Sequence, residues 1–226
     1  SRYSRSHYVV TGLNQPDFER DLLDLVRSIR PDVFMPLATG FVFFAAKNLD
    51  QLSAATAVSV PRLDAFMAAY VKSVCMAECS KLGIACPVEY SYREALEVLD
   101  HDRDATVVVK PDFDAGAATG VRFVRNRESL RKAVSECGER FGRTLIQQYI
   151  PGGPEAMKTV ILLFSPESRL AAAFTSRKTR QWPVTGGQTA ASLSTNEECL
   201  VSQVLPFFEK WQWRGSAEVE LKFDSR

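Results

Sequence analysis

The chemistry of this chain centres on a lysine at the end of a β-branched run. The segment Val107–Gly120, VVVKPDFDAGAATG, brings Lys110 to the mouth of a loop that contains Gly116 and Gly120. Valines favour a buried strand, and glycines let a backbone approach an anion closely because they carry no Cβ. The segment therefore predicts a strand and loop that bind a phosphate group. A solvated strand end is the alternative for a lysine followed by proline.

Three further segments stand in a fixed order around this one: Ala69–Pro87 (AYVKSVCMAECSKLGIACP), Leu145–Glu155 (LIQQYIPGGPE) and Arg214–Asp224 (RGSAEVELKFD). Together the four segments resemble the ATP-grasp superfamily. They are most similar in type to carboxylate–amine or thiol ligases, such as the ATP-binding domains of carbamoyl-phosphate synthase and D-alanine ligase.

The resemblance implies an α/β chain of α+β lobes with the ATP-grasp fold and a partial doubly wound pre-ATP-grasp domain at the N-terminus. We expect that domain over 1–65, a small lobe with its leading helix over 66–150, and a large lobe over 151–226. The family's first strand and helix, and its second metal-binding Glu with the nearby Asn, are not in the printed sequence. We therefore expect the chain as printed not to complete a two-metal site.

Hydrophobic spacing and capping residues place the elements. Ser91 with Glu94 forms a capping-box pattern, and Asn126 is a candidate cap for the following helix. Alternation puts Glu218, Glu220 and Lys222 on one face of the last strand. Helices are predicted from about Pro16 to Ile29, at 41–53, at 63–82 and at 196–210, and the first strand at 7–10.

The resemblance assigns two lysines to the nucleotide phosphates. Lys72 matches the lysine of the leading helix, although Val71 stands where the family often has an acidic residue. Its alternative is a solvated helix lysine. Lys110 matches the second phosphate lysine, whose compact charge can follow a moving phosphoryl group. The loop DFDAGAATG, with Gly116 and Gly120, would cover the triphosphate; a hairpin without a ligand role is the alternative.

By the same resemblance, the hinge segment holds adenine and ribose. The Gln148 carbonyl and the Ile150 amide would face the adenine edge, and Gln147 replaces a carboxylate that is common in the family but can still accept from the exocyclic amine. Glu155 would accept the ribose hydroxyls, or it is a surface glutamate at a strand start.

The large lobe carries the expected metal and reaction site. Glu220 is the expected Mg²⁺ ligand and Glu218 its substitute, since Mg²⁺ takes one or two carboxylates besides the nucleotide phosphates. The alternative is a solvated strand face. The segment Ser176–Gly187 contains three cations that match the site of phosphoryl transfer, with an exposed basic turn as the alternative: Arg177, Lys178 and Arg180. Trp182 beside Pro183 and Gly186–Gly187 could line a substrate pocket.

The implied function is an ATP-dependent carboxylate–amine ligase: an acylphosphate forms and an amine or related nucleophile displaces phosphate, with ATP and Mg²⁺ as cofactors. A non-catalytic nucleotide-binding or interaction module is the alternative. The expected partners are a small carboxylate and an amine, with a homodimer allowed. A net charge of +1 argues against nucleic acid, and the absence of a long apolar run argues against a membrane span. Five scattered cysteines are typical of a reducing cytoplasm.

Overall fold

The structure, a computed structural model, describes residues 3–113, 115–116, 118–182 and 187–224. Most buried hydrophobic side chains of these residues form three clusters. We call the parts of the chain around them the N-terminal unit (cluster from Phe18 to Val60), the small lobe (Ala95 to Ile146) and the large lobe (mainly Val160 to Trp213).

Eight α-helices and ten strands lie within the described residues. The helices are α1 (Phe18–Ile29), α2 (Thr39–Lys47), α3 (Leu49–Ser53), α4 (Leu63–Tyr70), α5 (Lys72–Lys81), α6 (Tyr92–His101), α7 (Arg127–Phe141) and α8 (Glu198–Lys210). The strands are β1 (Val33–Phe34), β2 (Ala57–Val58), β3 (Glu89–Tyr90), β4 (Val107–Pro111), β5 (Arg122–Val124), β6 (Thr144–Gln148), β7 (Met157–Phe164), β8 (Leu170–Trp182), β9 (Gln188–Thr195) and β10 (Gly215–Lys222).

The N-terminal unit contains a parallel pair of short strands, β1 and β2, connected through helices. This is a single β-α-β crossover, the unit from which a doubly wound layer is built. The expected strand at 7–10 is not formed, and the helix expected at 41–53 is divided at Asn48. The Asn48 side chain donates to the Phe44 carbonyl at 3.0 Å, a local bond that competes with continuation of the helix.

The small lobe is an antiparallel sheet of order β3-β6-β4-β5 with α6 and α7 on one face. Val107, Val109 and Ile146 point toward those helices. Both predicted caps are confirmed: Ser91 forms the capping box with Glu94, and the Asn126 side chain accepts from Ser129 N–H at 2.9 Å. The helices therefore begin where the polar residues predict.

The large lobe is an antiparallel sheet of order β10-β7-β8-β9. Val160, Leu162 and Phe164 of β7 pack against Phe207 and Phe208 of α8. The sequence predicts β10 and α8 but no strand at Gln188–Thr195, because QTAASLST lacks the apolar and β-branched run of a strand. That segment forms β9 by pairing with β8.

The leading helix is broken, contrary to the single helix expected over 63–82. Val71 is extended, with φ −85° and ψ 110°, and separates α4 from α5. The N–H groups of Lys72 and Ser73 bond to the Asp112 carbonyl and carboxylate, at 2.8 Å each, instead of to helix carbonyls. A residue distant in sequence thus ends one helix and begins the next. Parts of α4 and α5 pack on the large-lobe cluster.

Candidate functional site

Lys110 and Gln147 lie on the same face of the small-lobe sheet. In the antiparallel register Lys110 is opposite Leu145, and Val108 is opposite Gln147. Since Val107, Val109 and Ile146 face α6 and α7, alternation directs Lys110 and Gln147 away from those helices. The two side chains start from positions about 7 Å apart along the strands. This face therefore presents a cation and an amide at separate points.

The charge of Lys110 is weakened by its surroundings. Burial, and after it the neighbouring Lys72 cation, lower its pKa from 10.5 to about 8, while Asp112 and Cys75 oppose the shift. A lysine with such a pKa gains its full charge when an anion binds. The lowered pKa of Lys110 fits a lysine that binds an anionic group such as a phosphate.

Lys72 is the first residue of α5, and its ammonium donates to the main-chain carbonyl of Phe113. Phe113 begins the glycine-containing loop, and its ring stacks on Tyr70 with centroids 6.0 Å apart. The structure therefore brings Lys72, Lys110 and the start of the loop together, as the resemblance implies.

Gly120 is fixed in the loop by both conformation and space. Its φ is +81°, and an added Cβ would lie 2.6 Å from Phe141 and 2.9 Å from Pro111. Gly116 also has positive φ, +76°, but open space around it. Asp114 and Ala117 of the expected loop lie outside the described residues. The loop thus has a tightly packed end at Gly120 and an open part at Gly116.

The hinge contains a polar atom without a partner. The side-chain carbonyl oxygen of Gln147 is buried and has no hydrogen-bond donor among the described residues. A buried acceptor left in this way costs about 1–3 kcal/mol. Gln148 is engaged differently: its N–H donates to the Val88 carbonyl at 2.8 Å, and its Oε1 accepts from Val88 N–H at 3.2 Å. Ile150 is half-buried beside them.

Glu155 lies in a short 3₁₀ turn after the hinge, where its Oε1 accepts from Gly153 N–H at 3.1 Å. It is exposed, and it interacts electrostatically with Lys222 of β10. The Lys222 ammonium lies 5.4 Å from the centre of the Tyr149 ring, and burial lowers its pKa. The hinge is therefore in contact with the end of β10.

Lys178 and Glu220 form an ion pair on the large-lobe sheet. The side chain of Lys178 is only 3% exposed, and its ammonium lies 3.1 Å from Glu220 Oε1 and donates to the Gly187 carbonyl at 3.3 Å. Glu218 and Lys222 share this face by alternation on β10. The buried cation compensates the charge of Glu220, whose side chain is half-exposed.

Arg177 lies on the opposite face of the same sheet. It pairs in register with Lys158, which bonds to Glu197 at the start of α8 with 2.6 Å between Nζ and Oε1. Arg177 itself interacts electrostatically with Glu197. The parity of strand residues, available from sequence, separates Arg177 from Lys178. The structure does not bring Arg177 to the face that carries Glu220.

Arg180 and Trp182 lie beyond a change of register in β8, between Lys178 and Gln181. Both are exposed, Trp182 to 74%. Pro183 and Gly186 of the expected pocket lie outside the described residues. Arg180 therefore lies on the same strand as Lys178, but at the solvent-exposed end of that strand.

Metal ligation would rest on Glu220 and Glu218. The described part of the chain has no cluster of three or more His, Cys, Asp or Glu side chains arranged for a metal ion. Mg²⁺ commonly takes only one or two carboxylates from protein, so the pair fits a nucleotide-bound Mg²⁺ better than a protein-held ion.

None of the helices given above combines the length and hydrophobicity that a bilayer crossing requires.

No role is predicted from the sequence for Asp112, and none for Lys222 as a neighbour of the Tyr149 ring. The alternation of side chains along a strand indicates the face of each residue, because Asp112 follows Lys110 by two positions and Lys222 follows Glu220 by two. Their contacts with α5 and with the hinge involve distant segments. A sequence pattern could place these side chains on the right face but not identify their partners.

No family model and no curated protein matches this sequence. Solved structures do match. The biotin carboxylase domain of the Hydrogenobacter thermophilus 2-oxoglutarate carboxylase, solved with MgADP, ADP and bicarbonate, has a TM-score of 0.70 at 16% identity over 96% of this chain. The chain spans 51% of that protein.

Two ligases are also similar in structure. The Bacillus anthracis D-alanine–D-alanine ligase complexed with ATP has a TM-score of 0.63 at 16% identity, covering 97% of this chain and 71% of that one. The Bacillus licheniformis L-amino acid ligase has a TM-score of 0.65 at 18% identity, covering 93% and 51%. At these identities the likeness is one of fold. All three are ATP-grasp enzymes, and this chain therefore has the ATP-grasp fold.

Proposed function

We propose that the chain binds Mg-ATP between the small and large lobes and serves an ATP-dependent ligase that activates a carboxylate for attack by an amine or related nucleophile. The observation that carries the proposal is the shared face of Lys110 and Gln147. A lysine of lowered pKa and a buried acceptor with no donor in the described part of the chain occupy the two points of the small-lobe sheet assigned to phosphate and base.

The phosphate end uses Lys110 and Lys72. Each ammonium repels the other while no anion is present, and a triphosphate would relieve that repulsion. Gly120 keeps the adjacent loop close to Phe141 and Pro111, and Gly116 leaves room for a ligand. The loop therefore covers the phosphates and excludes water in this proposal.

The base end uses the hinge. The exocyclic amine of adenine would supply the donor that Gln147 Oε1 lacks, and the main chain of Gln148 and Ile150 would meet the remaining edge of the base. Glu155, on the exposed turn that follows, would accept the ribose hydroxyls. Each of these groups belongs to one continuous segment, which favours a single ligand along it.

The metal end uses Glu220, with Glu218 beside it. Glu220 and Glu218 would hold a phosphate-bound Mg²⁺, which would supply charge neutralisation there, and the Lys178 ammonium beside Glu220 would stabilise negative charge on the transferring phosphoryl group. Arg180 would bind the acceptor carboxylate or the same phosphoryl oxygens. Arg177 lies on the opposite face of the sheet and has no part in this site.

ATP supplies the γ-phosphoryl group that converts a carboxylate into an acylphosphate, and the amine then displaces phosphate. The chain's own part is positioning and charge stabilisation, so no protein nucleophile is needed. The ligands are small molecules. We include a homodimer in the proposal because the biotin carboxylase neighbour was solved as a domain dimer.

A second candidate is a nucleotide-binding module without ligase activity. The Lys178–Glu220 ion pair favours it, since a carboxylate already neutralised by a buried lysine has less need of a metal. Nucleotide binding that does not depend on Mg²⁺ would support this candidate over the ligase.

The test is isothermal titration of ATP into the chain, with and without Mg²⁺. Replacing Lys110 with alanine removes the central phosphate cation, and we expect ATP affinity to fall by about tenfold or more, at 1.5–3 kcal/mol for a charged hydrogen bond. The matched control is Lys132→Ala, an exposed lysine of α7 that should leave the affinity unchanged. Equal affinity in all three proteins, or no binding, would refute the proposal.

A further inference from the structure

Asp112 is a buried carboxylate at the end of β4, two residues beyond Lys110. The residue is only 3% exposed, which is rare for an ionised side chain without partners. Its carboxylate is fully engaged. The contacts join it to two other parts of the chain, α5 and the turn between α7 and β6.

The contacts with α5 replace a normal helix start. Ser73 N–H donates to Asp112 Oδ1 at 2.8 Å, and Ser73 Oγ donates to Oδ2 at 2.7 Å. Lys72 N–H donates to the Asp112 carbonyl at 2.8 Å. A carboxylate at this end also favours the positive end of the helix dipole. Asp112 therefore sets where α5 begins and hence where Lys72 stands.

The contacts with the α7–β6 turn fix Asp112 itself. Its N–H donates to the Arg143 carbonyl at 3.1 Å, and the Arg143 Nε lies 3.2 Å from Oδ2. The Arg143 side chain is mostly exposed, so this ion pair is the weaker of the two sets. Main chain and side chain together hold Asp112 in one orientation.

The carboxylate also acts on Lys110. The groups that affect the Lys110 charge are Lys72 and Cys75 from α5 and Asp112 from its own strand end. Asp112 is the carboxylate among them, and it raises the pKa of Lys110 against burial and against Lys72. Without the Asp112 carboxylate, the repulsion between the two lysines would be offset less.

We propose that Asp112 is a positioning residue, which sets Lys72 beside Lys110 and favours the charged form of Lys110, so that the two lysines receive the phosphates of a nucleoside triphosphate. The inference rests on the proposed function for the identity of the ligand. A residue that merely caps α5 would affect stability and leave the titration of Lys110 unchanged.

The decisive variant is Asp112→Asn, which keeps an acceptor for Ser73 N–H and removes the charge. In the chain without nucleotide, NMR titration of ¹³C-labelled lysines, with Lys110 assigned through Lys110→Arg, should show its midpoint at lower pH than in the unmodified protein. The Lys132 signal is the internal control and should not move. An unchanged Lys110 midpoint would overturn the proposal.

The same variant is titrated with Mg-ATP at several pH values. If the midpoint falls by about one pH unit, affinity should drop about fivefold near pH 8 and almost not at all near pH 6. A loss that is equal at all pH values would indicate a cap only and overturn the charge role. Failure of the unmodified chain to bind Mg-ATP would instead overturn the proposed function and with it the ligand.

A second variant covers the case in which Asp112→Asn does not fold. Ser73→Ala keeps the carboxylate but removes the hydroxyl bond to Oδ2, so α5 is less firmly held. We expect weaker Mg-ATP binding, by about threefold to tenfold for one hydrogen bond, with the Lys110 midpoint unchanged. Binding as tight as in the unmodified protein would overturn the positioning role.

Discussion

At the scale of single residues, Lys110 makes stability depend on pH. Its folded pKa is about 8 against 10.5 for a free lysine, so between these values the unfolded chain binds more protons than the folded one. The contribution of Lys110 to the free energy of unfolding therefore rises with pH across this window, by up to about 3 kcal/mol.

The measurement is urea unfolding of the unmodified chain and Lys110→Met over that pH range. Methionine removes the buried charge, so the variant should be the more stable protein at neutral pH, and its advantage should shrink as the pH approaches the unfolded value. Lys132→Met provides the control, with a small difference at every pH. An advantage of Lys110→Met that stays constant with pH would contradict the prediction.

The alternation of side chains along the strands shows how much of the site can be predicted from the sequence. Glu218, Glu220 and Lys222 lie on one face as expected, because strand side chains alternate. The same rule separates Arg177 from Lys178, although the three cations look like one cluster in the sequence. The Lys178–Glu220 pair could not be predicted, since the partners lie on β8 and β10 and register between distant strands is not encoded locally.

At the scale of elements, the hydroxyl of Thr175 connects β8, β9 and α8. Its Oγ1 donates to the Thr195 carbonyl at 2.8 Å and accepts from Thr195 Oγ1 at 2.9 Å and from Glu197 N–H at 3.1 Å. The residue is buried. This network accounts for the closure of β9 onto β8 just before the helix begins.

Thr175→Val keeps the shape and removes the hydroxyl, which leaves the Glu197 N–H and the Thr195 groups without that partner. We expect a loss of about 1–3 kcal/mol in the free energy of unfolding, measured with urea. Thr179→Val is the matched control: Thr179 Oγ1 donates to the Ala191 carbonyl at 3.0 Å but is exposed, so water can replace it. Equal losses in the two variants would refute the role assigned to Thr175.

The predictable elements are those whose signals are local. Ser91, Glu94 and Asn126 fix helix starts through bonds to residues three positions away, and the sequence predicts them correctly. The break at Val71 depends on Asp112, and β9 depends on pairing with β8. Both are tertiary interactions that override local propensity, so periodicity alone gave one long helix and no strand.

At the scale of the whole molecule, the large lobe meets the exit of the N-terminal unit at Gly215. Gly215 begins β10 with φ +76°, and a Cβ there would lie 2.4 Å from the main-chain oxygen of Ser59. The obstacle is backbone, which cannot rotate away as a side chain can. The contact joins the segment between β2 and α4 to the strand that carries Glu218 and Glu220.

Gly215→Ala should therefore strain the backbone and separate the two segments. We expect a loss of about 2–4 kcal/mol in the free energy of unfolding, from positive φ together with the collision. Gly83→Ala is the matched control, because Gly83 has φ +71° but no atom within 4 Å of the added carbon, and should cost about 1 kcal/mol. Thermal and urea unfolding of both variants measure the difference. Equal destabilisation would show that conformation alone matters at Gly215, whereas a larger loss with weaker Mg-ATP binding would show that this contact also holds β10 in place for the proposed metal site.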